Sequence, residues 1–198
     1  MSLKIYRTNG QSGVYFGEWI AECINDYFGA TKATYSSSSF SINGCLGITS
    51  ATSLTFQYMD YDLSSIGLSV LAIDSTKNFL MVLIPAQTNV TNLTNRIILC
   101  IYKDYSNNVV IWDYSRYTQA PFNISSDSMY YSNIIYSEST WTAPDKVYLY
   151  KLIIGQAVIP DYMYVSNFKG ISGQEINSSD GVNTYICLSD NFFIKKEE

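Results

Sequence analysis

Only one stretch of this sequence repeats its apolar residues at helical spacing; elsewhere they come in short runs or strict alternation, separated by turn-forming clusters. That stretch is GEWIAECINDYFGA, residues 17–30. Trp19, Ile20, Cys23, Ile24, Tyr27 and Phe28 recur at i, i+3 and i, i+4, while Glu18, Glu22, Asn25 and Asp26 face away. Gly29 supplies a C-terminal stop. A helix this short and amphipathic needs a sheet or a neighbouring subunit over its stripe.

The rest reads as strand and turn. SLTFQYMDYD, residues 53–62, alternates Leu54, Phe56 and Tyr58 with polar neighbours, the pattern of a half-buried strand. IGLSVLAI and NFLMVLI flank DSTK and predict a hairpin over 66–84. RIILCIYK and VVIWDY flank DYSNN and predict a second over 96–114, with Asn107 and Asn108 able to adopt positive φ. Further strands are expected at 129–137, 146–154 and 162–165, and a last hairpin joins NTYICL to NFFIK. Strands at near-regular spacing with no helix alternation argue for a mainly β fold. The expectation is an antiparallel sandwich or barrel-like fold with one short N-terminal amphipathic helix.

Residues 35–44, 87–95 and 137–145 are polar and read as linkers or exposed loops. Pro144 in the last breaks any strand ladder, so the expected division is a helix plus antiparallel β region over 1–138 and a small C-terminal β module over 139–198, separate from the first or packed with it.

The 198 residues suffice for one well-buried domain or two small ones. Net charge is −5, and apart from Lys195 and Lys196 the cations are scattered, so phosphate neutralisation is not provided for and nucleic acid is not expected as a partner. The longest apolar run, FLMVLIPA at 79–86, is far short of the roughly 20 residues of a membrane helix, and no spanning segment is expected. The first residues, MSLKIYRTNGQSG, carry no apolar signal core, so folding in a cytoplasm is expected. Cys23, Cys45, Cys100 and Cys187 show no metal-ligand spacing; their even count permits two disulfides, and the cytoplasmic expectation favours buried free thiols.

There is no histidine, which removes the commonest general base and metal ligand. No nucleotide-binding glycine loop, serine-nucleophile motif or EF-hand loop occurs, and no cofactor or metal is expected. Asp60 and Asp62 in YMDYDLS would share a strand face, at a spacing open to a glycosidase carboxylate pair, a calcium site or a solvated strand end. Glu18 and Glu22, four apart on the helix, read as a solvated face. The 18 Tyr, 9 Phe and 3 Trp are the more informative excess. Tyrosine pairs a flat apolar body with a polar tip, suited to interfaces and to stacking on sugar rings. Trp112, Tyr114, Arg116, Tyr117 and Phe122, with Asp113, form a candidate recognition or interface patch beside a loop; the alternative is aromatic filling of strand faces.

The stretch NTYICLSDNFFIKKEE, residues 183–198, sets apolar side chains on both faces of a hairpin. Tyr185 and Cys187 alternate with Ile186 and Leu188, and Phe192, Phe193 and Ile194 follow without a polar break. It is therefore expected to lie between two layers or against another subunit. VYLYKLIIG, VIPDYMYVSN, a polar loop carrying Gly170, Gly173 and Gly181, and this ending together resemble the C-terminal module of virion structural proteins of tailed bacteriophages and phage tail-like particles. The resemblance covers about a quarter of the chain, and the loop before the last hairpin is longer than in that family. It implies a non-enzymatic, multicopy β-rich component of a tail, baseplate, fibre or capsid surface. Its partners would be other virion proteins and copies of itself, and its place the virion. The alternatives are a carbohydrate-binding module that reads a host surface glycan, with Trp112, Tyr114 and Tyr117 as stacking residues, and a glycan hydrolase using Asp60 and Asp62.

Overall fold

The structure is a computed structural model that describes residues 3–8, 10–84, 96–103, 106–113, 136–141, 146–151, 153–154, 157–158, 163–166, 170–178, 181–189 and 192–196. The protein is mainly β, with antiparallel pairing throughout the described ladders and one multi-turn helix near the N-terminus. The chain divides into two compact units, Met1–Ser125 and Ser126–Glu198. The division expected from sequence, after residue 138, falls within a strand of the second.

In the first unit β1 (Lys4–Thr8), β5 (Ser69–Asp74), β6 (Phe79–Ile84), β7 (Arg96–Lys103) and β8 (Val109–Asp113) form a five-stranded sheet in the order β1-β5-β6-β7-β8. The two hairpins read from sequence are present here. Asn78 and Asn107 take the positive φ that their turns demand, at 50° and 62°. Every residue of β5 and β6 is buried, which fits unbroken apolar runs rather than alternation.

The helix α1 (Phe16–Phe28) covers one face of this sheet, ending at Gly29 in the left-handed conformation (φ 63°). Its Phe16, Ile20 and Ile24 are fully buried in one cluster with Leu71, Ile73, Leu80 and Val82 of the sheet. Each such side chain contributes about 1.5–3 kcal/mol. The same cluster takes in Phe40, Ile42 and Leu54 from a three-stranded sheet of β2 (Ala33–Ser36), β3 (Ser39–Ile42) and β4 (Thr52–Leu54). Residues 35–44 are thus not the loop their serines predict. Ser37 and Ser38 turn the β2–β3 hairpin with φ of 44° and 70°. Asn25 of α1, on the polar side, fastens the helix to β2. Its Oδ1 accepts from Lys32 N and Ala33 N at 2.7 and 2.9 Å, and its Nδ2 donates to Ala33 O at 2.9 Å.

The second unit contains β9 (Tyr136–Trp141), β10 (Lys146–Lys151), β11 (Ile153–Ile154), β12 (Ala157–Val158), β13 (Met163–Ser166), β14 (Glu175–Ser178), β15 (Thr184–Ser189) and β16 (Phe192–Lys196). Six of these close into a barrel in the order β10-β13-β16-β15-β14-β9. Two of its strands lie where polar sequence predicts loop: β9 begins the 137–145 stretch, and β14 lies in the long segment before the last hairpin. Register brings Tyr164, Ile176, Tyr185, Cys187 and Phe193 onto one face, where they form a buried cluster. Gly170 caps it closely: a Cβ there would stand 2.8 Å from Cys187 Sγ and 3.0 Å from Phe193 Cζ.

All four cysteines are free and buried. Burial pushes the Cys45 thiol up to about 11, and the Cys23 and Cys100 thiols higher still. Among the described residues no helix is long and apolar enough to cross a membrane.

Candidate functional site

The first N–H groups of a helix have no acceptor within it. In α1 they find theirs in the segment read from sequence as the end of a strand. Phe16 N donates to Tyr61 O at 2.9 Å, and Gly17 N to Met59 O at 2.8 Å. To offer those carbonyls the chain leaves the ladder after Leu54 and turns at 57–60, with Tyr61 N returning to Tyr58 O at 2.9 Å. Phe56 and Met59 hold the turn down by entering the core. Tyr58 has a φ of 68°, a left-handed value that costs a bulky side chain about 1–2 kcal/mol.

This overturns the expected Asp60 and Asp62 strand face, because the two carboxylates belong to a turn and to a helix cap. Asp62 precedes α2 (Leu63–Ile66), where its Oδ1 accepts from Ser64 N at 2.9 Å and from the Ser64 hydroxyl. Its Oδ2 accepts from Gly13 N at 2.6 Å. These donors, the Ser64 hydroxyl foremost, hold the carboxyl below its ordinary value. Asp60 Oδ1 instead accepts from the Tyr35 hydroxyl at 2.6 Å. Partial burial first, and that carboxylate second, push the Tyr35 phenol up to about 12.

The turn presents a run of tyrosines. Tyr15, at the helix N-cap, and Tyr61 are about half exposed, at 49% and 52%. Tyr35 and Tyr58 pack their inner sides on the core. Ring centroids lie 6.0 Å apart for Tyr15–Tyr35 and 5.2 Å for Tyr58–Tyr61. Gly17 makes room for this arrangement, since a Cβ there would fall 2.6 Å from the Tyr35 ring. Glu18 Oε2 accepts from Tyr15 N at 3.3 Å, while Glu22 is exposed. Near the turn Gln57 Oε1 is buried without a hydrogen-bond partner.

The patch expected around residues 112–122 is described only at its edge. Trp112 stands in β8 opposite Cys100, whereas Tyr114, Arg116, Tyr117 and Phe122 lie outside the described residues. In the terminal hairpin Tyr185, Leu188, Phe192, Phe193 and Ile194 are buried and Ile186 is half-buried. Phe192 and Ile194 face away from the cluster that holds Phe193, yet are only 0% and 1% exposed.

No family model matches the chain, and neither a curated protein nor a solved structure does.

Among the described residues no group of three or more Cys, Asp or Glu is placed to hold a metal. The turn over α1 offers flat apolar faces, phenol hydroxyls and one carboxylate with acceptor capacity left after Tyr35. That set suits recognition. The signal for it in the sequence was YMDY, two tyrosines around an acid, hidden by an alternation that reads equally well as strand.

Proposed function

We propose that the protein is a non-enzymatic, β-rich component of a bacteriophage tail, baseplate, fibre or capsid surface, or of a related phage tail-like particle, assembling with other virion proteins and with copies of itself. The observation that carries this reading is the fold of the segment on which the resemblance rests. Residues from β9 to β16 make a compact unit whose closed barrel pairs each strand on both sides. A closed barrel suits a multicopy particle, because its six strands add no template for unplanned strand pairing. The four reduced, buried thiols fit assembly in a bacterial cytoplasm. Mass spectrometry of purified particles from an induced host tests the reading: peptides of this chain are expected in amounts matching many copies per particle. Their absence from intact particles would overturn it.

A second reading, recognition of a host surface glycan, is favoured by the tyrosine turn, at a place other than the 112–122 patch. Asp60 and Asp62, the pair on which carboxylate-based glycan hydrolysis would depend, share no strand face and are bonded to different partners.

A further inference from the structure

We propose that the turn over the start of α1 is a binding platform for the sugar rings of a neutral glycan, formed by Tyr15, Tyr35, Tyr58 and Tyr61 around Asp60. This goes beyond the particle reading and stands without it. Single exposed aromatics need no explanation, but here ring pairs at 6.0 and 5.2 Å meet around one exposed carboxylate. The backbone beneath is pinned by two hydrogen bonds from α1 and by buried Met59, so ordering the platform is part of folding and adds little to the cost of binding. Tyr58 holds its left-handed backbone (φ 68°) while packing on the core and edge-on against Tyr61.

The chemistry selects the ligand. A pyranose ring has a C–H face and a rim of hydroxyl donors; the phenol faces accept the first, and the free lone pairs of Asp60 and the phenol oxygens the second. Residues 13–18 and 57–62 contain Glu18, Asp60 and Asp62 and no Lys or Arg, so uronates, sialates and phosphates meet like charge. A protein partner needs about 800 Å² on each side. Besides Tyr15 and Tyr61, Leu68 is the one exposed large apolar side chain among the described residues of this unit, which falls short of such a surface.

The test uses the full chain and a panel of maltoheptaose, cellohexaose, chitohexaose, mannan and galactan, with polygalacturonate and polysialate as acidic counterparts. At least one neutral glycan is expected to bind, with saturation transfer from tyrosine ring protons to sugar C–H protons in the unmutated chain. Substituting both Tyr15→Ala and Tyr61→Ala, two half-exposed positions, is expected to weaken that binding about tenfold or more with the thermal melt retained. No neutral glycan bound at about 10 mM, preference for the acidic polymers, no transfer from tyrosine protons, or binding unchanged in the double variant would each overturn it. Particle membership is read by mass spectrometry, so the two proposals fail independently.

Discussion

Replacing Tyr185 with Phe should make the protein more stable. The Tyr185 side chain is fully buried in the barrel cluster, its ring set edge-on to Tyr164 at 5.2 Å, and its hydroxyl is buried without a hydrogen-bond partner. An unsatisfied buried polar group costs about 1–3 kcal/mol, whereas the ring contact and apolar burial survive in Phe. Tyr185→Phe should therefore gain about 1 kcal/mol or more. With a urea slope of about 1 kcal/mol/M for a unit of this size, the midpoint rises by about 1 M. Tyr27→Phe is the control of opposite sign: its hydroxyl accepts from Ser75 N at 3.0 Å and lies 3.1 Å from Ser75 Oγ, so its removal should lose about 1 kcal/mol. Urea melts followed by circular dichroism read both. A Tyr185→Phe midpoint below that of the parent, at unchanged slope, would show that the hydroxyl makes a bond worth keeping and would refute the reasoning.

Asn25→Ala removes three hydrogen bonds between α1 and the start of β2 and should cost about 2 kcal/mol in the same melts, a loss too large for an ordinary surface substitution. Asp62 is held below its ordinary value of 3.8, so its contribution is present above that pH and is lost as pH falls through the lower folded value. Asp62→Asn, which can still cap α2, should be less stable than the parent at neutral pH, with the gap closing below about pH 4 in acid titrations. Ending the chain before Phe192 removes the strand between β13 and β15 and should leave the C-terminal unit without cooperative unfolding, read by calorimetry.

Much of the fold was legible where apolar pattern and turn chemistry agree. The α1 stripe with Gly29, the Asp74–Asn78 turn and Asn107 all carry the residue type that the local backbone requires. The β2–β3 hairpin was not legible, because its left-handed turn positions are held by Ser37 and Ser38 rather than Asn-Gly. The β14 strand buries Ile176 between exposed Glu175 and Asn177, too little signal to rise above a polar stretch. At the site the alternation of Leu54, Phe56 and Tyr58 was real, since Leu54 and Phe56 are buried, but the unsatisfied amides of α1 bend the chain after them. That demand comes from a helix some forty residues earlier, and no local window contains it.

The position of β16 between β13 and β15 also sets a schedule. As a ribosome delivers the chain, β15 can pair with β14, and β9 with β10, but β13 and β15 each keep an open edge until residues 192–196 have cleared the exit tunnel. The nascent chain must wait with apolar strand edges exposed. Holdase chaperones that shield extended apolar segments would matter most in that interval.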